Sequence, residues 1–104
     1  MAQQHIVWGC VNANGSTHSG IGFTPVTGET GVYDVIYSTP FNTTPAVVAI
    51  QNYKAWTDFT FNGGNTKDNA VLIASDRQKF KLETGDGDGK KQNRNFSFIA
   101  IGEI

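Results

Sequence analysis

The chain closes on the run NFSFIAIG, residues 95–102, and carries an earlier stretch of the same texture, GVYDVIYSTPFNTTPAVVAI, residues 31–50. Both are alternating or wholly apolar segments rich in β-branched and aromatic residues, which fit a pleated surface and not a helix. Leu occurs only at Leu72 and Leu82, against seven Phe, three Tyr and two Trp, so a helical bundle is excluded. A core built of rings, in a chain of 104 residues, predicts one all-β domain spanning residues 1–104.

Short strands separated by clusters of Gly, Asn, Thr and Ser read as a small antiparallel β-sandwich of about six to eight strands. The first strand is expected at residues 5–11, closed by the turn NANGS, where Asn-Gly accepts a positive φ. A second runs through residues 22–26. The third, residues 31–38, has apolar groups on both faces and is expected to be packed on both, with Asp34 as the exception. Pro40 and Pro45 hold the following loop extended. Residues 46–50 then form a continuous apolar strand, expected at the centre of a sheet. Residues 52–69 mix Tyr53, Trp56, Phe59 and Phe61 with Gly and Asn, and admit at most a turn of helix. Strands resume at residues 70–74 and 78–84, a polar hairpin loop fills residues 85–93, and the last strand covers residues 94–101.

Eight basic residues against nine acidic ones leave no field for nucleic acid or an anionic membrane. Nothing reaches the length of a membrane span or has the form of a secretory leader, so no membrane insertion is expected. Synthesis is expected in the cytoplasm, and action on a virion or outside the cell. A single cysteine, Cys10, rules out an internal disulfide; within HIVWGCV it reads as a small buried hydrophobe.

The chemistry of a catalyst is not visible. There is no G-x-S-x-G elbow, no phosphate-binding loop and no His-x-x-x-His pair. Asp86 and Asp88 in GDGDG have the spacing of a calcium loop, but Lys90 and Lys91 stand where further oxygen ligands belong. His5 and His18 are too far apart in sequence for a local metal pair. The expectation is a protein that is not an enzyme and needs neither metal nor cofactor. Binding chemistry is better represented. Tyr53 and Trp56 offer faces for stacking on the C–H side of a sugar ring. Asp58, Asp86, Asp88 and Lys90 offer hydrogen bonds to its hydroxyls. The bland alternative for Trp56 is that it caps the core or an intersubunit seam.

Four stretches in order, GCVNANG (9–15), GIGFTPV (20–26), GVYDVIYSTPFNTTPAVV (31–48) and FSFIAIG (96–102), resemble the small trimeric β-sandwich modules at the tips of phage tail fibres and the ends of collagen-like bacterial proteins. The P-x-V-V strand, the F-K pair (Phe80, Lys81) and the aromatic closing strand are more distantly similar to the H-type lectins. That resemblance implies a homotrimer, with pairing into a hexamer left open, and a non-catalytic, lectin-like module whose loops bind a cell-surface glycan. An excess of aromatic surface over what one thin sandwich hides points the same way, since a three-fold axis would bury it. The lectins' His and Arg have no counterpart at the matching positions, so an N-acetylgalactosamine preference does not carry over. The alternatives are a structural trimerisation or assembly head and a protein receptor-binding tip of a tail fibre.

Overall fold

The computed structural model describes residues 3–104, which form eight antiparallel strands and no helix. The strands are β1 (Gln4–Val11), β2 (Thr17–Ile21), β3 (Phe23–Thr27), β4 (Val32–Tyr37), β5 (Ala46–Asn52), β6 (Asn69–Ser75), β7 (Lys79–Gly85) and β8 (Asn95–Glu103). They make two four-stranded sheets, ordered β2-β1-β8-β5 and β3-β4-β7-β6, packed as a sandwich.

The space between the sheets is filled by rings. Phe96 and Phe98 enter from β8; Phe23, Tyr33, Tyr37 and Phe80 enter from the facing sheet. Phe98 meets Phe23 and Phe80 edge-on, with centroids 5.0 and 4.9 Å away, and Phe96 lies 5.0 Å from Tyr33. Phe41, from the loop after β4, closes the stack against Tyr37 at 4.9 Å. Such edge-to-face pairs add about 0.5–1.5 kcal/mol each beyond the area they bury. Rings this large need notches opposite them. Gly9 and Gly102 supply two, for a Cβ there would lie 2.2 Å from the Phe23 ring and 2.8 Å from Phe41.

Three expectations change. Residues 17–21 form a strand of their own, β2, hidden in the sequence by His18, Ser19 and Gly20. Strand β4 is packed on one face only: Tyr33, Val35 and Tyr37 are buried, while Asp34 is half-buried and Ile36 exposed. Strand β5 is an edge strand; β1 and β8 hold the centre of their sheet. A continuous apolar run therefore marks a strand with two apolar faces and not a central one.

The outer face of the β2-β1-β8-β5 sheet is the most unusual surface of the molecule. Its registers set Ala46, Ile101 and Ile6 in one row. Val48, Ile99, Trp8 and Ile21 form a second, and Ile50, Ser97, Cys10 and Ser19 a third. Cys10 is thus half-exposed on an apolar face and not a core residue. The opposite outer face is an ordinary solvated one. Lys79 pairs with Asp34 at 3.7 Å, and Lys91 with Glu83 at 3.4 Å.

Two outcomes test this core. Tyr37 Oη is buried without a hydrogen-bond partner, and burial, with a smaller contribution from the Asp76 carboxylate, pushes its pKa up to about 12. Because the folded-state value is raised, the stabilising preference for the neutral phenol is complete below the unfolded pKa of about 10 and is lost as pH rises toward 12. Tyr37→Phe should leave stability at pH 7 equal or higher and flatten the alkaline fall, read by urea titration at several pH values. Gly20 has φ +102°, and a Cβ there would lie 2.4 Å from the Trp8 carbonyl oxygen. Gly20→Ala should cost about 2–4 kcal/mol in the same assay, whereas Gly28→Ala, whose Cβ would meet Val32 at an ordinary 3.9 Å, should cost little.

Candidate functional site

Antiparallel pairing sends four loops to one end of the sandwich. Val11 pairs with Phe96, Asn52 with Asn95, Asn69 with Gly85 and Val32 with Glu83, so the β1–β2, β3–β4, β5–β6 and β7–β8 connections emerge together. All six residues singled out from the sequence, Tyr53, Trp56, Asp58, Asp86, Asp88 and Lys90, lie in two of these loops.

The frame of this end is a set of amide and guanidinium side chains bonded to backbone. Asn95, buried, accepts from the Ala13 N–H through Oδ1 at 2.8 Å and donates through Nδ2 to the Lys54 carbonyl at 3.1 Å. Gln51 Nε2 donates to the carbonyls of Asn69 and Gly85 at 2.7 and 2.9 Å, stitching the edge of one sheet to the other. Its Oε1 accepts from Arg94 Nη1 at 3.0 Å, and Arg94 also meets Asp68 at 3.6 Å. Each loop is thereby tied to a strand of known register.

The two candidate stacking rings are part of that frame. Trp56 has φ 48°, a left-handed conformation costly for a bulky residue, held by the bond from its N–H to Asn52 Oδ1 at 2.9 Å. Its indole Nε1 donates to Asn12 Oδ1 at 2.8 Å, and its ring lies 4.5 Å from His18 and nearly parallel to it. The Tyr53 ring carries the Arg94 guanidinium at 4.8 Å and packs near Phe61 at 5.7 Å. The backbone of Gly64 presses on the same ring, since a Cβ there would stand 3.2 Å from it. Phe59, in contrast, is 97 % exposed.

The acidic residues divide similarly. Asp86 Oδ1 accepts from the N–H groups of Lys90 and Asp88, both at 2.9 Å, and Oδ2 accepts from Gln92 at 3.2 Å. These donors, the Lys90 N–H foremost, hold the Asp86 carboxyl below the usual carboxylate range. Asp58 is lowered in the same way by the Thr60 hydroxyl and N–H, at 2.6 and 3.0 Å. Both are turn-forming carboxylates. Asp88 and Lys90 are exposed, and among the described residues no hydrogen bond engages either side chain. Among the described residues, no group of three or more His, Cys, Asp or Glu is placed to hold a metal ion.

Between these loops lies a shallow cleft of about 260 Å³ lined by Ala13, Tyr53, Lys54, Asn93, Arg94 and Asn95. Of the six expected residues only Tyr53 borders it. The tip of the β7–β8 connection, with Asp86, Asp88 and Lys90, does not line this cleft but touches the β5–β6 loop: a Cβ on Gly87 would lie 2.5 Å from the Asn65 side chain. Arg94, Asn93 and Asn95 have no motif to announce them. They reach the cleft because the Asn52–Asn95 pairing sets the start of β8 beside the end of β5. Comparison with family models, curated proteins and solved structures returned no match.

The split among the carboxylates is testable. Asp86→Ala should lower the protection of the Asp88 and Lys90 amides against hydrogen exchange on the order of tenfold, while Asp88→Ala leaves them unchanged. The same protection should survive at neutral pH and fall as acid protonates Asp86, below the ordinary carboxyl value of about 4, because a lowered pKa stabilises only above it.

Proposed function

We propose that this chain is a non-catalytic, lectin-like recognition module, assembled as a homotrimer, that binds cell-surface glycan through the loops at one end of the sandwich. The observation that carries this reading is the convergence there of all six candidate residues on a backbone tied down by Asn95, Gln51 and Arg94. A rigid loop end is what weak, shallow recognition needs, since little ordering entropy is then lost on binding.

Within this end the roles separate. The exposed Phe59 ring offers a stacking face, and Asp88 and Lys90 offer free polar groups. Tyr53 and Lys54 form one wall of the polar cleft, whose Asn93 and Arg94 suit the hydroxyls of a saccharide. Trp56, Asp58 and Asp86 position the loops that carry these groups. Each site would be weak, and three copies pointing one way would add avidity by raising effective concentration.

A second reading, an assembly head with no ligand of its own, draws on the engagement of Tyr53 and Trp56 by their own neighbours. The discriminating experiment is a glycan array probed with the labelled protein beside Tyr53→Ala and Phe59→Ala. The expected outcome is a defined set of hits, weakened at least about tenfold in the variants, with secondary structure by circular dichroism unchanged. Silence from folded protein across a broad array would favour the assembly head, and binding to protein alone a receptor-binding tip.

A further inference from the structure

We infer that the outer face of the β2-β1-β8-β5 sheet is the surface through which copies of this chain associate. The inference rests on the homotrimer part of the reading above and gives it a location.

The three rows on this face carry no charged side chain; the nearest, Glu103, closes β8 beyond them opposite Gln4. Val48 is 74 % exposed, Ile50 68 %, Trp8 49 % and Ile21 85 %. With on the order of 200 Å² for a fully exposed large side chain, the exposed Ile, Val and Trp of the rows amount to roughly 800 Å², the area one partner contributes to a standard protein interface. A patch on an ordinary monomer reaches only about 300–600 Å².

The chemistry selects another copy as the occupant. A face without charge has nothing to steer a charged partner, and its few polar groups, Ser19, Ser97 and Cys10, share a single row with Ile50. The face also contains a groove of about 310 Å³ between Trp8 on one side and Val48 and Ile50 on the other. Ile21, nearly bare at one border of the same face, is the kind of side chain that fills such a groove. A knob at one border and a hole toward the other make a head-to-tail contact, the kind that closes into a ring. The outer face of the other sheet has grooves of its own, but Asp34, Lys79, Lys81 and Glu83 line them, so a copy docked there would bury charge.

The test is native mass spectrometry of the unmodified chain at micromolar concentration beside Val48→Asp, Val48→Asp/Ile99→Lys and, on the charged face, Ile36→Asp. Circular dichroism checks that each variant is folded, and the rate at which a thiol reagent labels Cys10 gives a second readout. A trimer that Val48→Asp dissociates, with at least about 100-fold weaker association from burying an unpaired charge and faster labelling of Cys10, while Ile36→Asp stays trimeric, is the expected result. A dimer broken by Val48→Asp would uphold the face and overturn the trimer. A trimer indifferent to the double variant would overturn the face and leave the trimer standing. A monomer at these concentrations would overturn both.

Discussion

The inter-sheet stack of rings is the interaction on which the rest of this structure depends. Two thin sheets about 10 Å apart need inward side chains that span the gap, and this chain spans it mainly with Phe and Tyr. Tyr33, Phe41, Phe80 and Phe96 are the largest fully buried residues. Ring-to-ring contact sets the sheets' separation, and the glycines at positions 9, 20 and 102 are the space those rings require. Replacing any of these glycines therefore acts on the sandwich as a whole and not only on a turn. The hydroxyl of Tyr33 extends the stack to the loop end, donating to the Ala13 carbonyl at 2.7 Å, so that core packing and loop placement are one problem.

With the core committed to rings, the β-branched residues fall on the outside. The alternation of β8 makes this plain: Phe96, Phe98 and Ala100 face in, while Ile99 and Ile101 face out. The excess apolar surface of the domain is consequently mostly aliphatic, and among the described residues its exposed large aromatic part is limited to Trp8, Phe59 and Phe61. One sheet mixes Val26, Ile36 and Val71 with charged side chains on its outer positions, whereas the three rows of the other carry Ile, Val and Trp without charge. Two outer faces of such different chemistry on one small sandwich imply different surroundings.

The all-β class and most strands were readable because period-2 alternation and Gly/Asn punctuation are local signals. Strand β2 escaped because its residues pack chiefly through backbone: Gly20 lies against Gly9, leaving no apolar alternation to see. The centrality of β5 was misread because a strand with two apolar faces looks the same at the edge of a sheet as in its middle. At the loop end, the composition singled out two of the four connections but not which of their side chains the fold already engages. Asp86 and Asp88 are indistinguishable in sequence, and only the backbone N–H groups converging on Asp86 separate a turn carboxylate from a free one. Likewise Trp56 reads as an exposed platform until His18 and Asn12, brought in from β2 and the first turn, occupy it, while Phe59 is the ring left bare.

The loop end and the apolar face are linked by strand direction. The rows on the face run across strands whose ends carry the loops, so the face and the loop end meet at a right angle. If copies pack these faces around an axis parallel to the strands, rotation about that axis leaves every loop end pointing the same way. Association by a two-fold axis lying in the interface and across the strands would instead set the loop ends in opposite directions and forfeit avidity toward a single surface. On the proposed reading, recognition at the loops and the apolar outer sheet are therefore one geometric problem. Rotation about an axis along the strands satisfies both, and a three-fold ring does so while covering the face of every copy.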